Sequence, residues 1–177
     1  PVQHREAIED DMLKICNLPK ALEELFYCFP KATFPLSAAE VRRCIEQRSD
    51  ATVVEVAGRV VAFANFYRWE EGLCSIGNVV VASDERGSGV GNYLISHMLT
   101  LGFDKHRARA VSVSCFNRNV AGLLFYAKLG FQPFDIEQRI DYNGDRVALI
   151  QLRVERQALE PVARGPLPPP NRNRPRP

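Results

Sequence analysis

Hydrophobic and polar positions change period twice along this chain. Near the start the spacing is helical. Asp10 and Asp11 sit where they cap a short helix running through 17, after a weak strand candidate at 2–8. Leu22, Leu25, Phe26 and Phe29 share one face of a helix predicted over 21–29, with Pro19 tolerated ahead of it. Ser37 and Glu40 form a capping box that opens a helix to about 47, with Val41, Cys44 and Ile45 inward. Past 50 the pattern becomes that of strands, at 51–56, 60–69 and 73–82, with turns at Gly58 and at Glu70-Glu71-Gly72. The second and third are apolar on both faces, as interior strands are. Helical spacing returns over 89–105, where Val90, Leu94, Met98 and Leu101 recur. An alternating strand at 110–116 follows, then an apolar helix at 120–129 stopped by Gly130. Strands at 131–140 and 147–154 meet at Asn143-Gly144, a strong hairpin signal.

Three hairpin-joined strands imply antiparallel pairing, and the strand–helix–strand unit over 73–116 implies a parallel crossover. The expected fold class is therefore α/β with a mixed sheet (α+β in part) flanked by helices. Domain organisation follows the composition. Residues 1–158 read as one domain. The stretch 159–177 is rich in Pro and Arg and reads as an extended or disordered tail. A proline-rich ligand for an SH3-type partner is one use such a tail suits.

Charge changes the picture little. The formal net charge is +2 over 177 residues. Arg164, Arg172, Arg174 and Arg176 lie in the tail, so the remainder carries about −2. No nucleic-acid footprint is expected from that balance. No stretch is apolar for long enough to form a membrane-crossing helix, so no membrane partner is expected. Five cysteines without a CxxC pair suggest reduced thiols and a cytoplasmic setting. His4, His97 and His106 show no metal-ligand spacing with them, and no metal is expected.

Candidate chemistry concentrates in one place. A strand ending at Val79, Val80 and Val81 runs into Arg86-Gly87-Ser88-Gly89-Val90-Gly91 and then into a helix. Glycines let successive amides point one way, and a helix start adds partial positive charge, which together suit a pyrophosphate. Arg86 adds a fixed cation. The loop lacks the Gly-Lys-Ser/Thr of a Walker loop, and its glycines are spaced GxGxG rather than GxGxxG. A Gly-rich connection without a ligand is the plainer reading of the loop alone.

Downstream, Asn119, Tyr126, Lys128, Gly130 and Phe131 fall in a second pattern, with Gly122 where a small residue is usual and Phe125 where Leu is common. Taken with Arg86, Gly89 and Gly91 of the loop, the sequence resembles the GNAT superfamily of acyl-CoA-dependent N-acyltransferases. The likeness is good over 51–154 and loose over the first helices. It implies a GNAT-like fold with a central, mostly antiparallel mixed sheet. It implies acetyl-CoA or a close acyl-CoA as donor, with coenzyme A held by backbone groups of Val79, Val80 and Val81 and by amides across Gly87, Ser88, Gly89, Val90 and Gly91, near Arg86. Asn119 would bond the pantetheine or the loop, and Tyr126 would lie near the sulfur. The acceptor would be a primary amine of a small molecule or peptide. Relatives often pair as homodimers, and no residue here decides that.

Tyr126 is thus the candidate acid for the departing thiolate, against the plainer reading of a half-buried aromatic anchoring a helix. Where some relatives place a basic Glu, this chain has Ser75. Asn65 and Asn78 interrupt apolar strands, either to orient a water or to satisfy a strand irregularity. Cys115 reads as a small buried hydrophobe rather than a nucleophile. For the acceptor site the aromatics Phe26, Phe29, Phe34, Tyr67, Trp69 and Tyr142 stand with Glu23, Glu24, Glu70, Glu71 and Asp141. Aromatics with acids suit a cationic amine, although the same acids also suit a solvated surface. A coenzyme-binding module without catalysis is the alternative that the missing strand acid allows.

Overall fold

In the computed structural model residues 1–156 are described. The expectation for 159–177 lies outside the described residues. The elements follow in the order β1 (Val2–Glu6), a 3-10 turn, α1 (Met12–Cys16), α2 (Leu22–Cys28), α3 (Ala38–Gln47), β2 (Ser49–Val56), β3 (Arg59–Trp69) and β4 (Leu73–Val81). Then come a second 3-10 turn, α4 (Val90–Thr100), β5 (Ala110–Phe116), α5 (Val120–Lys128), β6 (Gln132–Ile140) and β7 (Arg146–Glu155). The strands form one sheet in the order β1-β2-β3-β4-β5-β7-β6. Only the β4–β5 pair is parallel. The mixed sheet with flanking helices is the architecture expected from the hydrophobic pattern.

The capping box at α3 is formed as written in the sequence: Ser37 Oγ accepts the Glu40 amide, and Glu40 returns to the Ser37 amide. The helical run expected over 89–105 is α4 continued by a π-helical turn at Leu101–Lys105. Interior strand β3 buries residues 60–66 without a break. Phe63 and Phe66 from it are fully buried alongside Leu94, Ile95 and Met98 of α4. Each such side chain contributes about 1.5–3 kcal/mol by leaving water.

The final hairpin departs from a two-residue Asn-Gly turn. Ile140 pairs with Arg146, and Asp141 donates its amide to the Asp145 carbonyl, leaving a three-residue loop with Gly144 left-handed. The reason is Asp141. Its carboxylate accepts the amides of Asn143 and Asp145 and meets Arg118 at 2.8 Å, so the side chain shapes the turn.

Two irregularities set up the site. First, β4 and β5 pair only from Leu73–Ala110 to Ile76–Val113. Beyond that they splay, and the last five residues of β4 have no partner on that side. Second, β4 bulges at Asn78, which sits at φ 51° while the register to β3 slips between Gly77 and Val80. A left-handed asparagine at a bulge is a recognised way to re-aim a strand.

Candidate active site

The splay opens a cavity of about 630 Å³ between β4, β5, α2 and the β6–β7 hairpin. Gly77, Asn78 and Val79 form one wall. Asn119 and Tyr126 of α5 line it as well, as do Tyr67, Ser75, Ser112 and Ser114. The strand's alternation fixes which way its amides point. Ala82 donates to the Val61 carbonyl on β3 at 2.7 Å, so the amides of Val81 and Val79 point to the opposite, unpaired edge. Val80 faces β3, where it pairs with Phe63, and its side chain is buried.

The loop that follows is shaped for an anion. Gly87 and Gly89 take φ of 79° and 92°, and Gly89 is the left-handed N-cap of α4. A side chain at those angles would be strained. Ser88 donates its amide to Glu85 at 3.3 Å, and its hydroxyl turns back to the same carbonyl. The amides of Gly87, Gly89, Val90 and Gly91 are left without a well-formed protein acceptor among the described residues. A run of free amides at the start of an 11-residue helix is an anion cradle. Gly91 also lets the Phe125 ring sit close, since a Cβ there would fall 3.3 Å from Cζ. Arg86 does not reach into the loop. It pairs with Glu24 of α2 at 3.0 Å.

Asn119 caps α5, accepting the Gly122 amide at 3.0 Å. Gly122 leaves room for that side chain, since a Cβ would fall 2.6 Å from Asn119 Nδ2 and make the cap shift. That contact explains the small residue at this point of the pattern. Tyr126 is buried, and its ring meets Phe131 edge-on with centroids 5.6 Å apart. Its hydroxyl takes no hydrogen bond from the described residues. No buried side-chain polar atom among them lacks a partner, so the hydroxyl opens onto the cavity. Burial, with Cys115 adding to it, pushes the Tyr126 hydroxyl well above the ordinary tyrosine value. The hydroxyl therefore keeps its proton at neutral pH.

Cys115 is buried. Burial raises its thiol to about 11, and the thiol turns toward the Phe116 and Asn119 carbonyls. Ser75 is buried against Ser112, with 2.7 Å between hydroxyls, so no carboxylate stands at that point of β4. His97 stacks on His4 with centroids 3.8 Å apart, away from the cleft. Among the described residues no cluster of three His, Cys, Asp or Glu side chains gathers to hold a metal, and no helix is long and apolar enough to cross a membrane.

The acids expected around the acceptor are turned elsewhere. Glu23 accepts from Tyr27, Glu24 pairs with Arg86, Asp141 shapes the hairpin, and Glu70 and Glu71 lie outside the lining. Of the aromatics, Phe26 and Tyr67 line the cleft, whereas Phe29 is core and Trp69 is exposed. Tyr142 borders a small neighbouring pocket. The sequence reading missed Tyr27, Phe116 and Phe134 in the lining, and Arg48 above all. Arg48 follows α3 in the chain, and its guanidinium meets Asn78 at the bulge of β4.

A mixed sheet splayed beside a free-amide loop defines a class of transferase fold, and the comparisons agree with it. The chain belongs to the acetyltransferase (GNAT) family, whose family model matches residues 18–131. Among solved structures it is similar to the ribosomal-protein-alanine N-acetyltransferase from Brucella melitensis, with TM-score 0.72 and 20% identity, over 86% of this chain and 99% of that one. It is similar also to the ribosomal-protein-S18-alanine N-acetyltransferase from Escherichia coli, with TM-score 0.70 and 16% identity, over 88% and 94% of the two chains. A spermidine N-acetyltransferase chimera from Vibrio cholerae and hSSAT gives TM-score 0.72 and 16% identity, over 87% and 95%. At these identities the likeness is one of fold. Family and fold together make the protein an acyltransferase.

Proposed function

We propose that the protein transfers an acetyl group from acetyl-CoA to a primary amine of a small molecule or peptide, by direct attack in a ternary complex. The observation that carries this reading is the cavity that joins Tyr126 to Val79 on the unpaired edge of β4, the strand that leads into the free amides of Gly87, Gly89, Val90 and Gly91. The amides suit the diphosphate of coenzyme A, and the Val79 and Val81 edge suits a pantetheine arm lying as an added strand.

In that pose the chain's own groups divide the work. The Val79 amide, on the open edge, stabilises negative charge on the thioester oxygen as the neutral amine attacks. Tyr126 gives its proton to the thiolate that leaves as the C–S bond breaks, and coenzyme A departs as the thiol. The amine arrives as an ammonium, with an ordinary pKa of about 10, and releases its proton to water, because Ser75 and Ser112 offer no base; the second proton, shed by nitrogen as the amide forms, returns to Tyr126 through water.

Thermal shift with acetyl-CoA, CoA and NAD tests the ligand class, and steady-state release of free thiol with an amine panel tests the chemistry. Stabilisation by acetyl-CoA and CoA only, with thiol release that depends on amine, is the expected result. The serine pair at the base position favours a second reading, a coenzyme-binding module without turnover. Stabilisation with no thiol release identifies it.

A further inference from the structure

We infer that the acceptor amine also carries a carboxylate, and that Arg48 receives it. This rests on the transfer reading above and narrows its substrate class.

Arg48 stands just past α3 and lines the same cavity as Tyr126. Its position is built. Nη1 donates to Asn78 Oδ1 at 2.7 Å and to Asn65 Oδ1 at 3.2 Å. Asn65 in turn donates to Asn78 Oδ1 at 2.9 Å, and Asn78 donates to the Cys28 carbonyl at 2.8 Å. The guanidinium lies against Tyr67, 5.5 Å from the ring centroid. Gly77 makes the room, since a Cβ there would fall 2.6 Å from Nη1. The two asparagines that break apolar strands therefore hold a cation at the cavity wall.

What that cation lacks is a counter-charge. Arg5, Arg42, Arg59, Arg86, Arg118 and Arg156 each stand against a carboxylate, and in the cavity lining Arg139 pairs with Glu137, while Arg68 is exposed to solvent and, unlike Arg48, is held by no side chain among the described residues. Among the described residues Arg48 has only neutral amide oxygens, all taken by Nη1. The rest of its planar fork has no protein acceptor there. Two parallel N–H donors match a carboxylate, and a fork fixed in advance loses little freedom on receiving one. The lining as a whole leans the same way, with Lys31, Arg48, Arg68 and Arg139 against Asp135 and Glu137. A polyamine entering that cavity meets like charge, whereas an amino acid brings its own anion.

The test compares matched acceptors: L-phenylalanine, L-phenylalaninamide and 2-phenylethylamine, with L-methionine and its amide as a second set. Thiol release from acetyl-CoA is measured for the native chain and for Arg48→Gln and Arg48→Lys. The acid is expected to exceed the amide and the decarboxylated amine by at least about tenfold in kcat/KM. That ratio falls to near one in Arg48→Gln and is kept in part by Arg48→Lys. Amides or decarboxylated amines accepted as well as the acids by the native chain overturn the inference, and this arm needs no variant to fold. An unchanged ratio in a folded Arg48→Gln also overturns it. If no amine releases thiol, the transfer reading fails on its own. Calorimetric binding of the N-acetyl amino acid with CoA present then decides for Arg48: a tenfold weaker affinity in Arg48→Gln upholds the carboxylate site, and equal affinity removes it.

Discussion

Arg86 donates from Nη2 to Glu24 Oε1 at 3.0 Å, which ties the guanidinium beside the free-amide loop to α2. Both side chains keep contact with solvent, so the pair is weak, within about 1 kcal/mol. A diphosphate at the loop competes with Glu24 for that cation. Glu24→Gln is therefore expected to tighten CoA binding about two- to fivefold by calorimetry at low salt, and the gain shrinks as salt rises. An affinity left unchanged places Arg86 outside the coenzyme's reach.

Tyr126→Phe is expected to lower kcat about a hundredfold while leaving the affinity for CoA within about twofold. Steady-state thiol release and calorimetry measure the two. Because burial raises the hydroxyl above its ordinary value of about 10, Tyr126 stays protonated through neutral pH and beyond. The pH–rate profile should show no descending limb from this group below about pH 10. A fall near pH 8 assigns the acid to another side chain.

Gly89→Ala places a Cβ at φ 92°, in open space but on a strained backbone. The expected cost is about 1–2 kcal/mol in chemical denaturation, together with a loss of CoA affinity as the amides turn away. Gly91→Ala makes the contrast. Its Cβ meets the Phe125 ring edge and Val81 Cγ2, and its φ is not left-handed, so the strain at Gly89 is absent there. Equal losses in the two variants would place the effect in packing rather than in the loop's angles.

Acid stability has an identifiable source in Asp11, which is fully buried and takes two bonds from Arg5, at 2.6 and 2.9 Å. The Arg5 bonds hold its carboxyl below the usual value of 3.8 against the opposing effect of burial. A depressed folded value contributes stability that is complete above the unfolded value of about 3.9 and is lost as pH falls through the folded one. Asp11→Asn should cost about 2 kcal/mol near neutral pH, held to that by Arg5's access to solvent, and should flatten the fall in melting temperature below pH 4. A parallel fall in both proteins removes Asp11 as the source.

Much of the fold was legible because its signals are local. The Ser37–Glu40 box, the doubly apolar β3 and the helical spacing from Val90 each express one period in one stretch of chain. The loop at 87–91 and Asn119 were legible for the same reason. What escaped depends on residues far apart. The splay of β4 from β5 is a tertiary event, and no alternation announces where pairing stops. Asn65 and Asn78 were visible as polar breaks in apolar strands, and the irregularity reading of them holds, yet their partner Arg48 lies on a different element. Asp141 looked like an acceptor-site acid because sequence gives no sign that a carboxylate will spend its oxygens on its own turn.

The short seam at Leu73–Ile76 and Ala110–Val113 has a mechanical consequence. Four strands on one flank and three on the other share strand pairing only along that seam, with the Tyr67–Ser114 hydroxyl contact at 3.3 Å crossing beyond it, so the width of the cleft follows the angle at which the seam is closed. The buried hydroxyl pair Ser75–Ser112 fastens it. Packing changes at this stitch, well below the reacting atoms, therefore alter the spacing between Val79 on one flank and Tyr126 beside the other, and the catalytic gap is tuned from its root.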